Sequence, residues 1–82
     1  MWITIDQIRA LKAIKDYCSI NGAADRLNKA KSAISYNINK LEEQLGFPTL
    51  DRSQYRISLH PQGEAFLVKS KKVLNDFTHF EE

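Results

Sequence analysis

Eighty-two residues, 43% of them hydrophobic, suffice for one small domain and leave little apolar surface to spare. The single cysteine, Cys18, excludes an internal disulfide and a thiol-pair metal or redox site, which suits a reducing cytoplasm. Net charge is +2, but the basic excess is uneven: residues 1–58 hold nine Lys/Arg against six Asp/Glu, residues 59–82 three against four, so a polyanion contact, if there is one, belongs in the first two thirds.

Met1-Trp2-Ile3-Thr4-Ile5-Asp6 has neither the basic start nor the apolar run of a signal peptide, and nothing in the chain approaches a transmembrane span. Thr4 with Gln7 three residues on reads as a capping box, so a helix starts near Ile5. Ile8, Leu11, Ile14, Tyr17 and Cys18 then recur at helical spacing and carry it to about Cys18, whose thiol is expected to be a buried filler. Ser19-Ile20-Asn21-Gly22 breaks the pattern. Asn21 is expected to cap a short second helix that carries Ala23, Ala24 and Leu27, and Asn28-Lys29-Ala30 reads as a tight turn.

From about Lys31 a third helix places Ala33, Ile34, Ile38, Leu41 and Leu45 on one face, with Gly46 as its C-cap and Pro48 preventing its resumption. The opposite face presents Lys31, Ser32, Ser35, Tyr36, Asn39 and Lys40 and is free of acids until Glu42 and Glu43. An ordinary solvated helix mixes both signs. Leu50 to Leu59 alternates as a small hairpin, Leu50-Asp51-Arg52 and Arg56-Ile57-Ser58-Leu59 around a turn at Ser53-Gln54-Tyr55. His60-Pro61 opens a fourth helix, with Pro at its first position, that continues through Phe66, Leu67, Ser70, Val73, Leu74, Phe77 and Phe80.

Two short helices joined by a tight turn, the second with a basic and hydroxyl-bearing face, form a helix-turn-helix pattern. A major groove admits one such helix, whose N-terminal residues reach base edges. Arg52, Tyr55 and Arg56 on the hairpin would meet the neighbouring backbone or minor groove. The pattern is mainly α, three helices and a small β-hairpin over residues 1–59 and then a long C-terminal helix over residues 60–82, and packed three-helix domains with other functions look similar.

Ser19-Ile20-Asn21-Gly22-Ala23-Ala24-Asp25-Arg26-Leu27 resembles the start of the LysR-type transcriptional regulator signature. Ser32-Ala33-Ile34-Ser35, Ile38, Leu41-Glu42, Leu45-Gly46, Arg52, Arg56, Leu59 and Pro61-Gln62-Gly63-Glu64 continue it without a gap. The resemblance implies a winged helix-turn-helix, with the hairpin as its wing, that binds double-stranded DNA with its third helix in the major groove and pairs two copies through its fourth. It also implies a linker helix that normally leads to an effector-binding domain, so a small-molecule effector is expected only if a further domain follows. Four departures from the family pattern matter: Ala30-Lys31 stands where Ser-Gln is common, Tyr36 replaces a frequent Arg, Thr49-Leu50 replaces the usual Leu-Phe as a smaller plug beneath the wing, and His60 replaces a capping Thr.

The DNA-contacting set expected is therefore Asn21, Lys31, Ser32, Ser35, Tyr36, Asn39, Lys40, Arg52, Tyr55 and Arg56. Asn21 would be a cap first, Lys40 a backbone contact, and Arg52 a contact or a brace beneath the wing. Phe66, Ser70, Val73, Phe77 and Phe80 are expected at a homodimer interface, since Phe66, Val73 and Phe80 are seven residues apart. His60 and His79 lack paired ligands, so no metal and no cofactor is expected, and no nucleophile motif or Gly-rich phosphate loop points to an enzyme. The alternatives are a winged-helix protein-interaction module and a short antagonist that forms heterodimers with a full-length relative.

Overall fold

A computed structural model describes the backbone of residues 3–81 and the side chains of residues 3–72. Its elements run α1 (Ile5–Tyr17), α2 (Ile20–Leu27), α3 (Lys31–Leu45), β1 (Leu50–Asp51), β2 (Ser58–Leu59) and α4 (Pro61–Glu81). The architecture is the expected winged helix-turn-helix, mainly helical with one two-stranded antiparallel hairpin.

The start of α1 is fixed by its capping box. Gln7 N donates to Thr4 Oγ1 at 3.1 Å and Thr4 N to Gln7 Oε1 at 2.9 Å, so two of the helix's orphan amides are satisfied reciprocally. The helix then buries Ile8, Leu11 and Ile14 against Ala23 and Ala24 of α2 and Ile34, Ile38 and Leu41 of α3. Alanines on α2 let the three helices approach closely, and Leu50 of β1 and Leu67 of α4 complete the core.

Three expectations change at the α1–α2 junction. Cys18 lies beyond the helix as its left-handed C-cap (φ 57°), half-buried, with its Sγ 3.8 Å from the Lys15 carbonyl rather than in the core. Ser19, not Asn21, caps α2: on extended backbone its Oγ accepts from Gly22 N at 2.9 Å, which leaves Asn21 as an exposed second residue of the helix. Tyr17 is 46% exposed rather than part of the core, and α2 passes so close to its Cβ that a Cβ at Gly22 would lie 2.8 Å from it and 2.9 Å from Ser19 Oγ.

The hairpin pairs Leu50 with Leu59 and Asp51 with Ser58. Its strands are shorter than their alternation suggests. Asp51 Oδ1 accepts from both Ser53 N (2.9 Å) and Ser53 Oγ (2.6 Å), an Asx turn that takes the chain off the ladder before Arg52 can pair. Arg52 and Arg56 thus belong to the connection between the strands. The wing is tied to the helices at both ends: Ile57 N donates to the Cys18 carbonyl at 3.2 Å, and His60 N to the Thr49 carbonyl at 2.9 Å.

Helix α4 packs its first turns into the same body. Gly63 is buried, and a Cβ there would run into the Thr49 carbonyl and lie 3.0 Å from Thr49 Cα, so this crossing requires glycine. Leu67 is fully buried, and Lys15 Nζ meets Glu64 Oε2 at 2.8 Å across α1 and α4. No helix among the described residues is long and apolar enough to cross a membrane.

Candidate nucleic-acid interface

The outward face of α3 follows from helical periodicity. Ile34, Ile38 and Leu41 are fully buried, and the residues on the other side of the helix are left to solvent. Lys31, Ser32, Tyr36, Asn39 and Lys40 are exposed and Ser35 is half-buried at the edge of the face. Lys40 Nζ approaches Glu43 Oε1 at 4.0 Å, an exposed pair too loose to hold the lysine. Among the described residues Lys31 has no ion pair, so its charge stays available.

The N-terminus of α3 is bare. Ala30 takes the extended N-cap conformation (φ −69°, ψ 148°) but has no side-chain acceptor to give, the structural consequence of the Ala-Lys departure. Its carbonyl accepts from Ala33 N and Ile34 N at 3.0 and 3.2 Å, which leaves the amides of the first turn facing outward beside Lys31. The turn that delivers this end is tightly made: Asn28 adopts the left-handed conformation (φ 56°), and Lys29 N returns to the Ala24 carbonyl at 3.0 Å. Lys29, exposed and next to this helix end, joins the basic set. It was hidden in the sequence because its segment reads simply as a polar turn.

On the wing, Arg52, Tyr55 and Arg56 are exposed, and Tyr55 is completely so. Neither arginine has an ion-pair partner among the described residues, so Arg52 does not brace the fold through a salt bridge. Behind the wing, Glu42 Oε2 accepts from Thr49 N (2.6 Å), Thr49 Oγ1 (3.0 Å) and Leu50 N (3.2 Å). One carboxylate on α3 thereby sets where β1 begins relative to the outward face of the helix. The Asp51 carboxyl is held below the usual carboxylate range by the hydroxyl and backbone amide of Ser53.

The pairing surface expected on α4 divides. Phe66 is half-buried against the protomer's own core, and Ser70 is only 7% exposed with its hydroxyl donating to the Phe66 carbonyl at 2.8 Å. Ser70 is thus buried within the protomer, while Phe66 keeps part of its surface exposed. The side chains of Val73, Phe77 and Phe80 lie outside the described residues.

With this geometry in hand, the chain matches the family described as bacterial regulatory helix-turn-helix protein, lysR family, over residues 5–64. The chain belongs to the LysR family. It is 40% identical over 72 residues to the HTH-type transcriptional regulator MetR of Buchnera aphidicola, an alignment covering 88% of this chain and 23% of that protein. It is 35% identical over 72 residues to YhaJ of Escherichia coli, covering 88% of this chain and 24% of that one. The chain thus spans about a quarter of the length of the curated LysR relatives it matches. Among solved LysR structures, the DNA-binding domain of BenM in complex with benA site 1 DNA superposes with a TM-score of 0.86 at 28% identity, covering 94% of this chain and 86% of that one. A full-length OxyR variant from Pseudomonas aeruginosa superposes at 0.90 with 25% identity, over 98% of this chain and 27% of that one.

Proposed function

We propose that this chain is the sequence-specific DNA-binding module of a LysR-type transcriptional regulator. The observation that carries the reading is the outward face of α3, opposite a fully buried stripe: exposed, basic and hydroxyl-bearing at its N-terminal end, with acids only in its last turns. A duplex presents the complement, acceptor-rich base edges between two rows of phosphates. Lys31, Ser32, Ser35, Tyr36 and Asn39 would face the bases, with Lys40 on the backbone. Arg52, Tyr55 and Arg56 would meet the backbone or minor groove beside it, and Asn21 at the start of α2 would approach a phosphate. The DNA in the BenM complex supports this assignment for a fold of the same shape.

In this reading residues 1–59 form the reading head and residues 60–82 the linker and pairing helix of a cytoplasmic homodimer with no catalytic role. Pairing is needed because two recognition helices must meet half-sites roughly 34–36 Å apart. The contact with a second copy would run along the exposed part of Phe66 and the later positions Val73, Phe77 and Phe80, with Ser70 buried beneath it. An effector would act only through a domain beyond this chain. Titration of a random duplex pool with the chain tests DNA recognition: enrichment of a symmetric site supports the reading, and failure to retain any duplex contradicts it. Sedimentation beside a Val73→Glu, Phe77→Glu double variant tests pairing. A monomeric wild type at high concentration, or a double variant that still dimerises, contradicts that part.

A further inference from the structure

Tyr36 lies at the centre of the outward face of α3. It follows Ile34 by two residues and precedes Ile38 by two, which at about 100° per residue sets it roughly 200° from each. Both isoleucines are fully buried, so the helix aims Tyr36 directly away from the core. The side chain is 65% exposed, and among the described residues its hydroxyl has no hydrogen-bond partner. Its neighbours on the face are Ser32 one turn before it, Ser35 beside it, Asn39 most of a turn beyond and Lys40 one turn beyond, of which only Lys40 is long, and that one is charged. The tyrosine ring is therefore the large apolar group at the middle of the face, with its one polar atom at the tip.

We propose that Tyr36 reads the C5 methyl group of a pyrimidine in the major groove, so that thymine, or 5-methylcytosine, is preferred at one position of each half-site. The inference rests on α3 being the groove-reading helix. The floor of the groove offers polar donors and acceptors and one apolar feature, the pyrimidine methyl. A ring carbon edge pressed on guanine N7 and O6, or on the cytosine amino group, would take those groups from water and give nothing back, a cost that selects against G·C. Against a methyl group the same contact removes apolar surface from water on both sides. An arginine here would favour guanine by paired hydrogen bonds, so this tyrosine shifts the preferred base pair from G·C to T·A.

The test takes the best duplex selected by the 82-residue chain and replaces each thymine singly by deoxyuridine, which removes one methyl group and leaves the hydrogen-bonding edge intact. Wild type and Tyr36→Phe are expected to lose about fourfold in affinity at the same thymine of each half-site, one buried methyl group's worth. The same factor should separate 5-methylcytosine from cytosine placed there, since the methyl and not the base is read. Tyr36→Ala is expected to bind the thymine and uracil duplexes equally at that position. Three results would overturn the proposal while leaving the DNA-binding reading intact: no methyl-sensitive thymine in wild type, discrimination retained by Tyr36→Ala, or discrimination lost in Tyr36→Phe, which would assign the hydroxyl. Failure to select any duplex overturns both.

Discussion

Glu42 and Thr49 are joined by two hydrogen bonds to one carboxylate oxygen, and the same oxygen accepts a third from Leu50 N. Thr49 is fully buried, so its backbone amide and hydroxyl depend on Glu42 for satisfaction. The smaller plug expected beneath the wing is thus a polar one, and the carboxylate compensates for it. Glu42→Ala should destabilise the fold by about 2–3 kcal/mol, because three donors lose a charged acceptor. Thr49→Val, which removes the hydroxyl and keeps the volume, should cost about 1 kcal/mol. Urea denaturation checks both, and equal effects of the two substitutions would count against the carboxylate as the shared acceptor.

Ala30 is a helix N-cap without a capping atom. Its backbone is already extended, so a serine there can accept from an amide of the first turn without rearrangement. Ala30→Ser should raise stability by about 1 kcal/mol, read as a higher urea midpoint at unchanged slope. A fall in midpoint would contradict the geometry assigned to this end of α3.

Lys31 and the wing arginines should respond differently to removal. Lys31→Ala is expected to weaken binding by about 1–3 kcal/mol and to relax the preference at one base pair. Arg52→Ala or Arg56→Ala should weaken all duplexes alike and lower the salt slope by roughly one per copy, about two for a dimer on two half-sites. A uniform loss for Lys31→Ala would move it to the phosphates, and an unchanged slope for a folded arginine variant would remove that arginine from the interface.

The Asp51 carboxyl titrates below its ordinary value chiefly because the Ser53 hydroxyl donates to it, with the Ser53 amide adding to the effect. A depressed acid stabilises the folded state above its unfolded pKa and loses that contribution as pH falls through the folded one. The turn that displays Arg52 should therefore loosen only in acid, as pH falls from the ordinary aspartate value through the lowered one, and stay intact at neutral pH. Carboxyl-carbon NMR should place the Asp51 midpoint below that of a free aspartate, and Ser53→Ala should move it up. No movement would show that Ser53 is not the cause.

The helices were legible because their signals are local. The Thr4–Gln7 box, the Ile34–Ile38–Leu41 stripe, Gly46 with its positive φ and Pro61 at the first position of α4 each lie within one element. The outward face of α3 followed from the same periodicity. What was missed depends on residues distant in sequence or on competition between equals. Ser19 and Asn21 are both good caps, and only the extended backbone at Ser19 decides between them. The strands shorten because the Asp51 carboxylate captures Ser53, a choice that alternation does not encode. Glu42 was visible as part of a Leu-Glu pair, but its bond to Thr49 depends on how β1 enters beneath α3. Ser70 fits the seven-residue series yet faces its own protomer, since a periodic stripe does not say which neighbour covers it.

The salt dependence of duplex binding tests the central claim most directly. Each phosphate neutralised by a lysine or arginine releases counterions, so log affinity should fall by roughly 0.9 per unit of log salt for each such contact. Two copies of Lys40, Arg52 and Arg56 acting on the phosphates of one site would lose roughly a thousandfold between 50 and 200 mM salt. A steep linear fall of that size is the predicted result. No measurable duplex affinity at 50 mM, or an affinity indifferent to salt, would contradict the account and favour a winged helix that binds another protein.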